Sequence, residues 1–165
     1  MLKEISKFIE GLALGPLWDV GVNMFAGHVP VKNSAGNIIP ERYLAVLENA
    51  GGALLANVGG VVTGTPPSAS GDPGYWPKYV EKAVQLLNRA KSYFVARDDA
   101  EELFEALDNT AGWKLPLVAP ANRQYLAIVI DAYSPPAPIE NPGPSGLYIF
   151  STNYTWKIEE ASCGA

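Results

Sequence analysis

Residues 80 to 107 read Val80-Glu-Lys-Ala-Val-Gln-Leu-Leu-Asn-Arg-Ala-Lys-Ser-Tyr-Phe-Val-Ala-Arg-Asp-Asp-Ala-Glu-Glu-Leu-Phe-Glu-Ala-Leu107. In the second half Ala100, Leu103, Phe104 and Leu107 recur at i, i+3, i+4 and i+7, one face of a helix. Asp98 is placed to accept from free N–H groups of a first turn, and Glu101 stands three residues on, as in a capping box. Asp98, Asp99, Glu101 and Glu102 put negative charge at the positive end of the dipole. The spacing predicts a helix over 98–109, stopped by Asn109, Thr110 and Gly112. The first half reads two ways. Glu81 to Leu87 has helix-forming composition, yet Val84, Leu86, Asn88 and Ala90 alternate with Ala83, Gln85, Leu87 and Arg89 as in a strand covered on both faces.

Downstream, Trp113 to Val118 is expected as a short edge strand, because Pro116 cannot donate to a ladder. Gln124 to Tyr133, rich in β-branched and aromatic residues, predicts a strand. Ser134 to Gly146 carries five prolines and predicts a stiff extended connection. Leu147 to Ile158 predicts a long final strand. Tyr148, Phe150, Thr152, Tyr154, Trp156 and Ile158 face the core, and the alternate positions are mainly polar. The tail from Glu159 is expected to fray.

Upstream, Leu2, Ile5, Phe8, Ile9 and Leu12 form the apolar stripe of an N-terminal helix ending near Gly15-Pro16. Lys3, Glu4, Lys7 and Glu10 lie opposite. This balance of acid and base speaks for a helix packed on a sheet rather than on a membrane surface. Alternation predicts a strand within Asp19 to Pro30, a turn at Asn33 to Asn37, and a buried strand at Arg42 to Glu48. Residues 51–77 hold seven glycines and four prolines around the apolar Ala53-Leu54-Leu55-Ala56. This is a long excursion from the single domain, read either as a mobile surface loop or as a contact surface.

The 165 residues suffice for one domain with a core, and 48 % hydrophobic content makes it globular. No apolar run approaches a membrane span, and the first residues lack a signal peptide's apolar segment, so the chain is expected to stay where it is made. Asn153-Tyr154-Thr155 is then a chance glycosylation match. A net charge of −5, with no basic run, argues against a nucleic-acid-binding surface. Cys163 is the single cysteine and His28 the single histidine, which excludes disulfide frameworks and leaves no metal-ligand spacing. A catalytic Cys–His pair would need Cys163 in a setting that lowers its pKa, and a tail offers none. Gly59-Gly60-Val-Val-Thr-Gly64 is not a phosphate loop, because neither Lys-Ser/Thr nor a helix follows. The acids of the central helix read as a solvated face. Tyr75, Trp76 and Tyr79 would stack on a sugar or base, or plug a protein interface.

The order of elements, with Asn23-Met-Phe-Ala-Gly27, Glu48-Asn-Ala-Gly-Gly52, Gln85 through Arg89-Ala90 to Tyr93, and Phe150-Ser-Thr-Asn-Tyr154, resembles the minor capsid or tail-terminator proteins of long-tailed bacteriophages. In that group a strand with a Gln-x-x-x-Arg-Ala core and a Tyr runs directly into an amphipathic helix. The resemblance covers about residues 3–159. It implies an α+β domain, a mainly antiparallel β-sheet with the N-terminal and central helices packed on it, and it tips residues 82–92 toward strand. It further implies a non-enzymatic virion protein without cofactors or metals. Copies form a hexameric ring on the head-proximal end of the tail, between the major tail tube protein and a head completion or connector protein. DNA passes through the lumen without specific binding. The 51–77 excursion is larger than the short hairpin this implies. Leu54, Leu55, Val61, Tyr75 and Trp76 in or beside the excursion, Arg89 of the motif, and Pro138 and Pro142 of the proline-rich segment are the expected interface residues. The second structural reading is another head–tail connector or tail-completion subunit of similar fold, and the rival class is a small intracellular enzyme or carbohydrate-binding module built on Trp76, Tyr79 and nearby acids.

Overall fold

A computed structural model of the chain describes residues 1–48, 79–119, 124–140 and 146–161. The described residues form an α+β fold, with two helices on one side of a mainly antiparallel sheet. The helices are α1 (Leu2–Gly11) and α2 (Tyr93–Leu107). The strands are β1 (Met24–Ala26), β2 (Tyr43–Glu48), β3 (Tyr79–Ala90), β4 (Thr110–Leu115), β5 (Gln124–Ala132), β6 (Ala137–Glu140) and β7 (Tyr148–Ala161). Their order is β1-β2-β3-β7-β5-β4, with β6 also against β7. Among the described strands only β1 and β2 pair in parallel.

β3 and β7 form the spine, a ladder from Tyr79↔Glu159 to Ala90↔Tyr148. Residues 80–90 are therefore strand, as alternation allowed and the resemblance implied. Val84 and Leu86 are buried on the same side as Tyr154, Trp156 and Ile158, where they join Leu103 and Leu107 of α2 and Ile5 and Ile9 of α1 in one core. Each such side chain contributes about 1.5–3 kcal/mol by leaving water. Burial pushes the Tyr154 phenol well above its ordinary value.

α2 begins earlier than the local acids predict. Its N-cap is Ser92, in extended backbone, and not Asp98. Asp98 and Asp99 lie inside the helix. Ala96 and Ala100 continue the apolar face back toward Tyr93 and pack on Ala90 and Phe150. Asp99 is 5 % exposed because its carboxylate accepts a two-pronged bond from Arg42, Nε to Oδ2 at 2.8 Å and Nη2 to Oδ1 at 2.5 Å. The helix ends as expected near Asn109, whose φ of +54° turns the chain into β4.

Other boundaries also differ from expectation. Most of Asp19 to Pro30 is not strand. The Asp19 carbonyl accepts from the N–H groups of Val22, Asn23 and Met24, and Asn23 Oδ1 accepts from Asp19 N at 2.7 Å. These local bonds compete with the ladder and leave three residues to pair. Before this turn Gly15 (φ +60°) passes so close to Trp18 that an added Cβ would lie 3.0 Å from the indole nitrogen. β4 starts at Thr110, before the expected Trp113. The proline-rich connection contains β6, which continues the line of β5 along β7 after a break at 133–136, bridged by Tyr133 N donating to Asn153 O. β7 stays paired to Ala161, beyond the residue where fraying was expected. The excursion at 51–77 lies outside the described residues.

α1 touches β1 and β2 at one edge of the sheet and β4 at the other. Phe8 stacks on Trp113 of β4 at 5.4 Å and edge-on to Trp156 of β7 at 5.8 Å. The sheet is thus curled around the core, with α1 closing the seam between its edge strands.

Candidate assembly surfaces and the seam pocket

The outer face of the sheet carries a second apolar cluster. Phe25, Tyr43 and Ala45 are buried there, and the half-buried Leu87 and Leu147 pack against them together with Val29 and Ile39 of the loop before β2. Arg89, opposite Tyr43 in the ladder, belongs to this face. Its Nη1 donates to the Tyr43 hydroxyl and its guanidinium lies 5.2 Å from that ring's centre. Its Nε is buried without a partner. Of the expected interface residues, Arg89 is half-buried and engaged within its own fold, whereas Pro138 is exposed in β6 opposite Phe150. Leu54, Leu55, Val61, Tyr75, Trp76 and Pro142 lie outside the described residues, as does Cys163.

Two exposed apolar groups stand on different elements. The first surrounds the start of α2. Phe94 is 64 % exposed and packs on Tyr93, which packs in turn on Tyr148 and Phe150. Ile139 is exposed separately, next to Pro138 on β6. Arg97 caps the Phe94 ring at 5.6 Å and bonds Asp98 and Glu101. The second group comprises Leu17, Val22, Val31 and Ile38, before β1 and between β1 and β2. Val31 and Ile38 flank a small hairpin closed by the Lys32–Ile38 bridge, in which Asn33 Oδ1 accepts from Ala35 and Asn37. Ser34 N donates to Gly21 O and ties the hairpin to the turn before β1.

Between α1, β1 and the exit of β4 the curl leaves a pocket of about 270 Å³ in the seam. Val20, Met24 and Val118 supply apolar wall, and Lys3, Lys7 and His28 line it as well. Lys7 bonds Glu10 at 2.6 Å, and Glu10 also accepts from Val20 N at 3.0 Å. The Lys7 bond, followed by the Val20 bond, holds the Glu10 carboxyl below its ordinary value. His28 is exposed at the pocket. Among the described residues no three His, Cys, Asp or Glu side chains gather as for a metal ion, and no helix is long and apolar enough to cross a membrane.

Sequence reasoning missed the pocket. Lys3, Lys7 and His28 were visible as types, but only the curl brings α1 against β1 and the exit of β4. Phe94 was hidden by placing the helix start five residues late. Comparison of the chain with protein-family models, curated proteins and solved structures finds no match.

Proposed function

We propose that this chain is a non-enzymatic virion structural protein, a tail terminator that caps the head-proximal end of a phage tail tube as a hexameric ring. In this reading one surface meets the major tail tube protein and the other a head completion or connector protein. DNA crosses the lumen without specific binding, consistent with a net charge of −5. The observation that carries the reading is the junction of β3 and α2. The Gln85-x-x-x-Arg89-Ala90 strand is followed, after only Lys91 and Ser92, by the helix beginning at Tyr93. That direct passage is what the resemblance implies.

Further support comes from the two exposed apolar groups. A ring closes through a heterologous contact, which needs two different patches on each subunit. The exposed Phe94 at the start of α2 and the Val31–Ile38 hairpin are such a pair of candidates. The test is native mass across a concentration series, with negative-stain images and pull-down on purified tail tubes. Closed hexamers, or monomers that add as a ring to one tube end, are the expected results. A monomer at every concentration that ignores tube ends overturns the proposal.

A further inference from the structure

We infer that the seam pocket binds a short, uncharged aliphatic molecule of about ten carbon atoms. The inference stands on the pocket and does not depend on tube capping. The surface of the pocket is almost wholly apolar, with Val20, Met24, Pro30 and Val118 in its wall. Lys3 and Lys7 reach it too, and to so apolar a surface they contribute their alkyl stems. The volume is about 270 Å³. An apolar cavity of about 150 Å³ takes benzene, with its six carbons, so at the same filling this pocket holds about ten or eleven.

The hydrogen bonds of the wall decide against a polar ligand. Val20 N donates to Glu10 Oε1. Gly21 N donates to Met24 O, Gly21 O accepts from Ser34 N, and Met24 N donates to Asp19 O. Lys7 and Glu10 hold each other at 2.6 Å. These groups are spent within the fold, so a polar ligand gives up its water without gaining partners from them, whereas an alkyl chain has nothing to give up. The same bonds keep the pocket open. Backbone bonds close the turn from Asp19 to Met24, and Ser34 ties the hairpin to it, so the wall cannot collapse into the space without breaking them. The site is therefore preformed, as small-molecule sites usually are.

The experiment is an NMR titration of the ¹⁵N-labelled full chain with 1-hexanol, 1-octanol, 1-decanol and 1,8-octanediol. Octanol is expected to shift the amides of Val20, Ala26 and Val118, with a Kd on the order of 1 mM for so small a ligand. Two more methylenes are expected to tighten binding about tenfold from hexanol to octanol, and about tenfold again to decanol. The diol carries a second hydroxyl to a wall that offers it no partner, and is expected to bind at least about tenfold more weakly than octanol. Val118→Trp, a half-buried position, is expected to fill the space and weaken octanol at least about tenfold. Three results overturn the inference: no shift at those amides in buffer saturated with octanol, equal binding of hexanol and octanol, or the diol binding as tightly as octanol. The alcohol comparisons use the unaltered protein and so decide even if Val118→Trp does not fold.

Discussion

Arg42→Ala tests whether a single polar contact fixes α2 on the sheet. Asp99 is 5 % exposed, and Arg42, just before β2, is 43 % exposed. Arg42 supplies both of these bonds to the Asp99 carboxylate, which is also what raises the arginine's own pKa. Bonds to charged groups contribute about 1.5–3 kcal/mol each, and breaking a fully buried pair costs about 3–5 kcal/mol. Arg42 is partly in water, so the lower end applies, and a loss of about 2–3 kcal/mol is expected. For a chain of this size that lowers Tm by about 5–10 °C. The two partners are not equivalent. Arg42→Ala strands a buried carboxylate, whereas Asp99→Ala leaves a guanidinium that can turn to solvent. Asp99→Ala should therefore cost less, about 1–1.5 kcal/mol, and the double variant should cost less than Arg42→Ala alone and about as much as Asp99→Ala, because it removes the stranded carboxylate. Urea unfolding of the four proteins, monitored by tryptophan fluorescence, closes the cycle. If Arg42→Ala lies within about 0.5 kcal/mol of the parent, or if Asp99→Ala is the worse, the contact does not work as described.

Two further outcomes follow from the seam. Phe8→Ala removes the ring that joins α1 to Trp113 and Trp156, and should cost about 3–4 kcal/mol and shift tryptophan emission to the red; an unchanged spectrum and urea midpoint would show α1 held by other contacts. Glu10 titrates below its ordinary value in the folded chain, so its contribution is present above about pH 4.5 and fades as pH falls through the folded value. Glu10→Gln should cost less than about 1 kcal/mol at pH 7 and flatten the acid limb, seen as a smaller difference between urea midpoints measured at neutral and strongly acid pH.

The sequence carried the periodic elements well. The stripe through Ile5, Phe8 and Ile9 and the alternation from Tyr148 to Ile158 were both legible, because each depends on neighbours within the element. What depends on distant partners was not. Asp99 reads locally as a dipole-satisfying acid, and nothing nearby betrays an arginine 57 positions away. The Ser-Pro-Pro break at 134–136 reads as the start of a connection, yet the chain resumes pairing at Ala137 because β7 still offers a free edge there. Val20, Val22 and Met24 alternate as a strand should, but Asp19 and Asn23 hold that stretch in a turn through backbone and side-chain bonds. The seam pocket was the least legible of all, since it belongs to no element and exists only where the two edges of a curled sheet meet one helix.

β7 has β3 along one side and β5 and β6 along the other. Among the described residues no other path runs from β1 to β4 through the ladder, so the last of these strands in chain order is the one that joins the rest. A ribosome that has not passed residue 148 holds two separate pieces of sheet, β1-β2-β3 and β4-β5, with their shared neighbour still untranslated. The chain cannot assemble its whole sheet from the front as it emerges, and a message cut short between β5 and β7 yields two fragments of architecture rather than a smaller version of the whole.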